Sequence, residues 1–204
     1  SGEFKSLKTG LLQAVMHARH PDAVIVPVAI AYDLVLEDQT LARKGVKGAQ
    51  RPFTSEVAEM VRYSVGYESR AFVTFGEPIP LNTVDPGSRR GLVTLMHQTR
   101  DAIGAAYKVL PTALMAACLR PSTRRKELED RIDQLLDVLR LGNANLGVET
   151  GRDAVEQATG PLVGRRIIAV AGDRYRPRER QVLRYYGRSL NHLLRDRGGS
   201  KRTH

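Results

Sequence analysis

Residues Lys8 to Leu36 read Lys-Thr-Gly-Leu-Leu-Gln-Ala-Val-Met-His-Ala-Arg-His-Pro-Asp-Ala-Val-Ile-Val-Pro-Val-Ala-Ile-Ala-Tyr-Asp-Leu-Val-Leu, and this stretch decides the fold class. Leu11, Leu12, Val15 and Ala18 recur at helical spacing, and Thr9 stands where a hydroxyl can cap the first turn. Pro21 and Asp22 supply turn chemistry. From Ala23 to Tyr32 the chain is almost continuously apolar and rich in Val and Ile. That pattern suits a strand covered on both faces, as in a parallel α/β sheet. Pro27 breaks it, because proline has no N–H to give to a ladder. The violation predicts a bulge, a strand end or a functional site there; an edge proline without chemistry is an equal alternative.

Working outward, Glu37 to Phe53 reads as a long surface loop, with Gly45, Gly48 and Pro52. Thr54 to Tyr63 reads as a helix with Val57, Met60 and Val61 on one side. Ser69 to Phe75 reads as a second strand, closed by Gly76-Glu77-Pro78-Ile79-Pro80. Strand, helix and strand at this distance are compatible with a βαβ unit. Beyond Pro86 the expectations turn helical: Gly91 to Tyr107, then Pro111 to Leu119. Next comes an amphipathic helix carrying Leu128, Ile132, Leu135, Leu136 and Leu139 and ended by Gly142. Arg152 to Ala158 adds a helical turn or two, Ile167 to Val170 a short strand, and Pro177 opens a last helix. The chain thus divides into an α/β part over residues 1–85 and a mainly helical region with a basic end over residues 86–204.

With 204 residues and 42% apolar content the chain can form a real core. Its one cysteine, Cys118, cannot make an internal disulfide and reads as a small core residue. No window approaches the ~20 apolar residues of a membrane span, and the first residues do not form a signal peptide; the expected compartment is cytosolic, surface association allowed. The net charge is +10 and uneven: Gly160 to His204 holds twelve Lys and Arg against three acids. Such an end attracts anionic lipid, phosphate substrates or nucleic acid, or serves solubility alone. One Cys and five scattered His give no zinc spacing, and no Walker loop, dinucleotide fingerprint or nucleophile elbow is present.

His17 and Asp22 are a His and an Asp close in sequence, the types in which a carboxylate orients an imidazole base. They straddle a helix end and a proline, so surface turn residues are the stronger reading.

Five stretches together resemble one family. They are Ser1-Gly2 with Leu7 to Gln13; Ile25 to Asp33; Val73-Thr74-Phe75-Gly76-Glu77-Pro78-Ile79; Leu110 to Leu119; and Arg176-Pro177-Arg178-Glu179 with Val182-Leu183 and Tyr185-Tyr186 up to His192. In this order they look like the downstream half of the bacterial and mitochondrial glycerol-3-phosphate and dihydroxyacetone-phosphate acyltransferases. The resemblance implies the remainder of an acyltransferase-type α/β domain followed by a helical C-terminal region. It implies acyl-CoA or acyl-carrier protein as donor, the sn-1 hydroxyl of glycerol 3-phosphate as acceptor, no cofactor, and peripheral work at an anionic membrane surface on the cytoplasmic side. Nucleic acid is not an expected partner.

The family's catalytic His-Asp motif and its Glu-Gly-x-Arg motif fall upstream of Ser1 in such an alignment, so the resemblance predicts a chain inactive on its own. It carries Pro27, with Val26 and Val28, into the block that lines the acceptor site, and Lys8 into a basic position beside the phosphate-binding block. Gly187, Arg188 and Ser189 depart from the Arg-Asn-Asn usual in the family. The competing expectation is a non-enzymatic basic module that binds anionic membrane or nucleic acid.

Overall fold

The Val- and Ile-rich segment builds a bent antiparallel ribbon. In the computed structural model, which describes residues 7–18, 20, 22–35, 69–83 and 88–195, helix α1 (Thr9–Ala18) leads into β1 (Val24–Ile25) and β2 (Val28–Tyr32). β2 pairs with β3 (Ala71–Phe75), and β1 with β4 (Ile79–Pro80), both antiparallel. Val28 lies opposite Phe75, Tyr32 opposite Ala71, and Val24 opposite Pro80. Between the ladders Val26 and Pro27 face Gly76, Glu77 and Pro78: two residues against three, which is a bulge. Pro27 therefore sits where no ladder N–H is called for, and its carbonyl accepts from the Gly76 N–H at 2.8 Å.

The parallel, doubly covered sheet and the βαβ unit are thus corrected among the described residues. Continuous apolarity says that both faces of a strand shun water; it says nothing about the direction of its partner. The expected loop at Glu37 to Phe53 and helix at Thr54 to Tyr63 lie outside the described residues.

Helix α2 (Arg89–Ala106) starts at Ser88, whose hydroxyl accepts from the Gly91 N–H at 3.3 Å. It packs on α1 and β2 and closes a small core of Met16, Leu81 and Leu95, with Ala23, Ile25, Ile79 and Leu92 around it. Residues from both sides of position 85 share this core.

The larger core lies beyond it. β5 (Lys108–Val109) leads to α3 (Pro111–Cys118), whose first position holds a proline where an N–H would be orphaned anyway. β6 (Thr123–Arg124) precedes α4 (Arg125–Leu141). Leu128, Ile132, Leu136 and Leu139 of α4 are buried, as their spacing predicts, and each such side chain contributes about 1.5–3 kcal/mol by leaving water. Gly142 caps that helix and Asn143, at φ +53°, turns the chain away toward β7 (Asn145–Leu146), which pairs in parallel with β5.

Helix α5 (Gly151–Gly164) is twice as long as its sequence suggests. Gly160 and Pro161 obscure the pattern, but Ala154, Val155, Ala158 and Leu162 are all fully buried. Thr150 caps it by accepting from the Asp153 N–H at 3.1 Å, and Pro161 falls in the final turn, where little of the ladder is lost.

β8 (Ile168–Ala171) and β9 (Arg174–Pro177) form a hairpin across Gly172-Asp173, with Gly172 at φ +59°. Pro177 ends β9; the last helices are α6 (Arg180–Arg188) and α7 (Asn191–Arg195). The sheet order is β6-β9-β8, all antiparallel. Setting aside β7, which pairs outside this sheet, helix, strand, two helices and a hairpin follow in order with the first strand against the last, the connectivity of a winged helix. Most residues described beyond Ser88 are helical, and the short strands add a small sheet to the helices.

Polar ties join this module to the ribbon and to α2. Leu34 is buried in the larger core, the Val35 N–H donates to the Tyr186 hydroxyl at 2.9 Å, and Asn145 Nδ2 donates to the Ala106 carbonyl at 3.1 Å. His192 Nε2 meets the Gly104 carbonyl at 3.3 Å, and its ring packs edge-on against Tyr107 with centroids 5.5 Å apart.

Candidate functional site

The Val26-Pro27-Val28 segment lies in the bulge, and its three side chains do not share a face. Alternation through the bulge puts Val24, Val26, Val28, Ile30 and Tyr32 outward and Pro27, Ala29 and Ala31 inward. Pro27 is buried against Gly76, where an added Cβ would stand 3.4 Å from the proline Cβ. Across the ladder Val73 and Phe75 extend the outward face, with Phe75 70% exposed. The result is a contiguous apolar patch of aliphatic and aromatic side chains in water. Patches of this kind mark surfaces covered by a ligand, a partner or another layer of the same protein.

Lys8 is exposed at the entrance to α1 and has no ion pair with a described residue. His17 and Asp22 do not form a dyad. The His17 Nδ1 bonds its own helix at the Gln13 carbonyl, 2.8 Å away, and the Asp22 backbone N–H donates to His20 Nδ1 at 3.3 Å. Both residues are exposed.

One buried acid escaped the sequence reading. Asp33, 2% exposed at the end of β2, accepts from the backbone N–H groups of Leu34 (2.7 Å) and Arg70 (2.8 Å). Its other oxygen accepts from Arg70 Nε at 2.9 Å, and the Ser69 hydroxyl donates to the Leu34 carbonyl beside it. Arg70 in turn lies 5.7 Å from the Phe72 ring centroid. A carboxylate that accepts from two backbone amides and a guanidinium acts as a structural clamp. The available signal was an acid ending an apolar strand, but its partners lie 36 and 37 residues away.

Cys118 is buried, with its Sγ 3.6 Å from the Arg131 carbonyl, and burial pushes its thiol up to about 11 despite Arg120 and Arg131 nearby. It is expected to resist a disulfide reagent at neutral pH in the folded chain and to react fully once the chain is unfolded in denaturant; rapid reaction of the native thiol would contradict its packing. Because the unfolded thiol ionises from about pH 8.5 and the folded one only near 11, this group makes stability fall as pH rises through that window.

Among the described residues no three His, Cys, Asp or Glu side chains group to hold a metal, and no helix is long and apolar enough to cross a membrane. An open cavity of about 590 Å³ lies between the starts of α4 and α5 and the hairpin tip, lined by Arg124, Arg125, Lys126, Glu129, Arg152 and Asp173. Most of its cations already face acids: Arg125 meets Glu129 at 2.8 Å, Lys126 meets Asp130 at 2.8 Å, and Arg124 reaches Asp173 at 4.0 Å. A scan of the sequence against models of known protein families finds none that matches.

Proposed function

We propose that this chain is the C-terminal portion of a glycerol-3-phosphate acyltransferase, which moves a fatty acyl group from acyl-CoA or acyl-carrier protein to the sn-1 hydroxyl of glycerol 3-phosphate. The observation that carries the reading is the outward face of β2 and β3. Its sequence is that of a strand covered on both sides, yet Val28, Ile30, Val73 and Phe75 stand in water. A layer that supplies the missing cover is what a catalytic half would bring, and it would set the Val26-Pro27-Val28 bulge beside the acceptor. On that arrangement the described residues position and enclose; the base that takes the proton from the attacking hydroxyl comes from the other half. In this reading Lys8 meets the acceptor phosphate as a point charge.

Two assays test this. The isolated chain is expected to give no acylation of glycerol 3-phosphate above a buffer blank. Co-expressed with an upstream segment that carries the His-Asp and Glu-Gly-x-Arg motifs, it is expected to restore turnover. Activity of the chain alone would overturn the reading, and so would a partner half that works equally well without it.

A further inference from the structure

The arginines of α6 are sorted onto one side of the helix. Arg180, Arg184 and Arg188 of α6 are exposed, while Val182, Leu183 and Tyr186 are buried. Four-residue spacing places the three in one row about 12 Å long. The row cannot roll inward, because α6 is seated on α3 at Gly187, where a Cβ would come within 3.3 Å of the Ala117 backbone. It extends into exposed Arg176 and Arg178, and from Arg174 to Arg188 six arginines stand against the single acid Glu179.

Helix α4 handles its cations differently. There Arg125, Lys126, Arg131 and Arg140 each meet an acid three or four residues away. None of Arg176, Arg178, Arg180, Arg184 and Arg188 has an ion pair with a described residue. Like charges at four-residue spacing repel, and an anionic surface relieves that repulsion. Arginine, rather than lysine, suits phosphate groups because its planar fork donates two bonds at once.

We propose that the Arg180-Arg184-Arg188 face of α6 docks the protein on the headgroup phosphates of an anionic bilayer. The choice of a bilayer rests on the acyltransferase reading, whose donor and product are amphiphiles. It is favoured also by α5, the helix that a winged helix would lay in a DNA groove. That helix exposes Arg152, Glu156, Gln157 and Gly160, one cation offset by one acid, and offers no track for a phosphate backbone.

Flotation of the full chain with vesicles of phosphatidylcholine alone, or of phosphatidylcholine and phosphatidylglycerol in equal parts, tests the proposal across a salt series. Binding is expected only to the anionic vesicles and to weaken steeply with salt. The variant carrying Arg180→Gln, Arg184→Gln and Arg188→Gln is expected to bind about 100-fold more weakly, since each basic residue near such a surface is worth ~1 kcal/mol. Arg125→Gln with Arg152→Gln, on the face of the open cavity, is expected to bind like the parent. Circular dichroism and thermal unfolding establish that both variants are folded. Equal losses in the two variants would overturn the proposal. So would tighter binding to a mixed-sequence DNA duplex at the same phosphate concentration. Restored acyl transfer in the co-expression assay is scored without vesicles, so failure of docking and failure of the acyltransferase reading are told apart.

Discussion

Gly151→Ala is expected to lower the stability of the chain by about 3 kcal/mol, at the upper end of the overpacking range. Gly151 opens α5 directly against α4. A Cβ on it would collide with the carbonyl oxygen of Glu129, and would lie 2.9 Å from the carbonyl carbon and 3.1 Å from the Asp133 carboxylate carbon. The obstacle is backbone inside a helix, which cannot rotate away as a side-chain tip can. Relief requires the α4–α5 seam to open, and along that seam Ile132, Leu136, Val155 and Ala158 are fully buried. Opening it also strains the Gly151 N–H bond to the Asp133 carboxylate, 2.6 Å long. For a chain of this size the loss corresponds to a fall of about 10 °C in Tm. Gly160→Ala on the same helix is the control: nothing lies within 4 Å of its Cβ, so the usual gain of alanine over glycine applies and Tm is expected to hold or rise. Equal Tm values for Gly151→Ala and the parent would mean that the two helices do not touch where the structure brings them together.

Asp33→Ala is expected to cost a similar amount, about 3 kcal/mol, by a different route. Its carboxylate is the acceptor for the Leu34 and Arg70 backbone N–H groups, and a buried donor left without an acceptor costs ~1–3 kcal/mol. The Arg70 guanidinium adds little, because its side chain is 58% exposed and water replaces the lost partner. Asp33→Asn separates the two contributions. Its amide oxygen still accepts from the backbone, so it is expected to recover more than half of the loss in a urea titration. If Asn and Ala cost the same, the charge rather than the backbone bonds holds the strand end.

What the sequence disclosed and what it withheld follow from the range of the forces involved. Helix α4 was readable because Leu128, Ile132, Leu136 and Leu139 repeat within one element and Gly142 follows. The bulge at Pro27 was readable because a missing N–H is a property of one residue. The direction of the ribbon was not, because it depends on Ala71 to Phe75, far along the chain. Helix α5 was underestimated because Gly160 and Pro161 weigh against it locally, while the burial of Ala154, Val155, Ala158 and Leu162 outweighs them globally. β9 was missed since Arg174, Arg176 and Pro177 surround its one buried apolar residue, Tyr175. At the candidate site, Lys8, Val26, Pro27 and Val28 came from resemblance, and the fold separates Pro27 from its two neighbours by face. Asp33 was invisible because its partners are Ser69 and Arg70. The positive charge of the C-terminal end was plain in the composition, but its sorting onto one face of α6 needed the position of that helix on α3.

The alternation along β2 has a consequence for how the ribbon finds its pairing. Ordinarily a one-residue slip is prevented because it would throw apolar side chains into water and polar ones into the core. Val28, Ala29, Ile30 and Ala31 give no such penalty, since either parity is apolar. The correct alignment must therefore be enforced from the two ends. At one end the Gly76 N–H finds the Pro27 carbonyl; at the other the Asp33 carboxylate finds Arg70. A slip by one residue breaks both locks together, so the strand is aligned by its termini while its middle is indifferent.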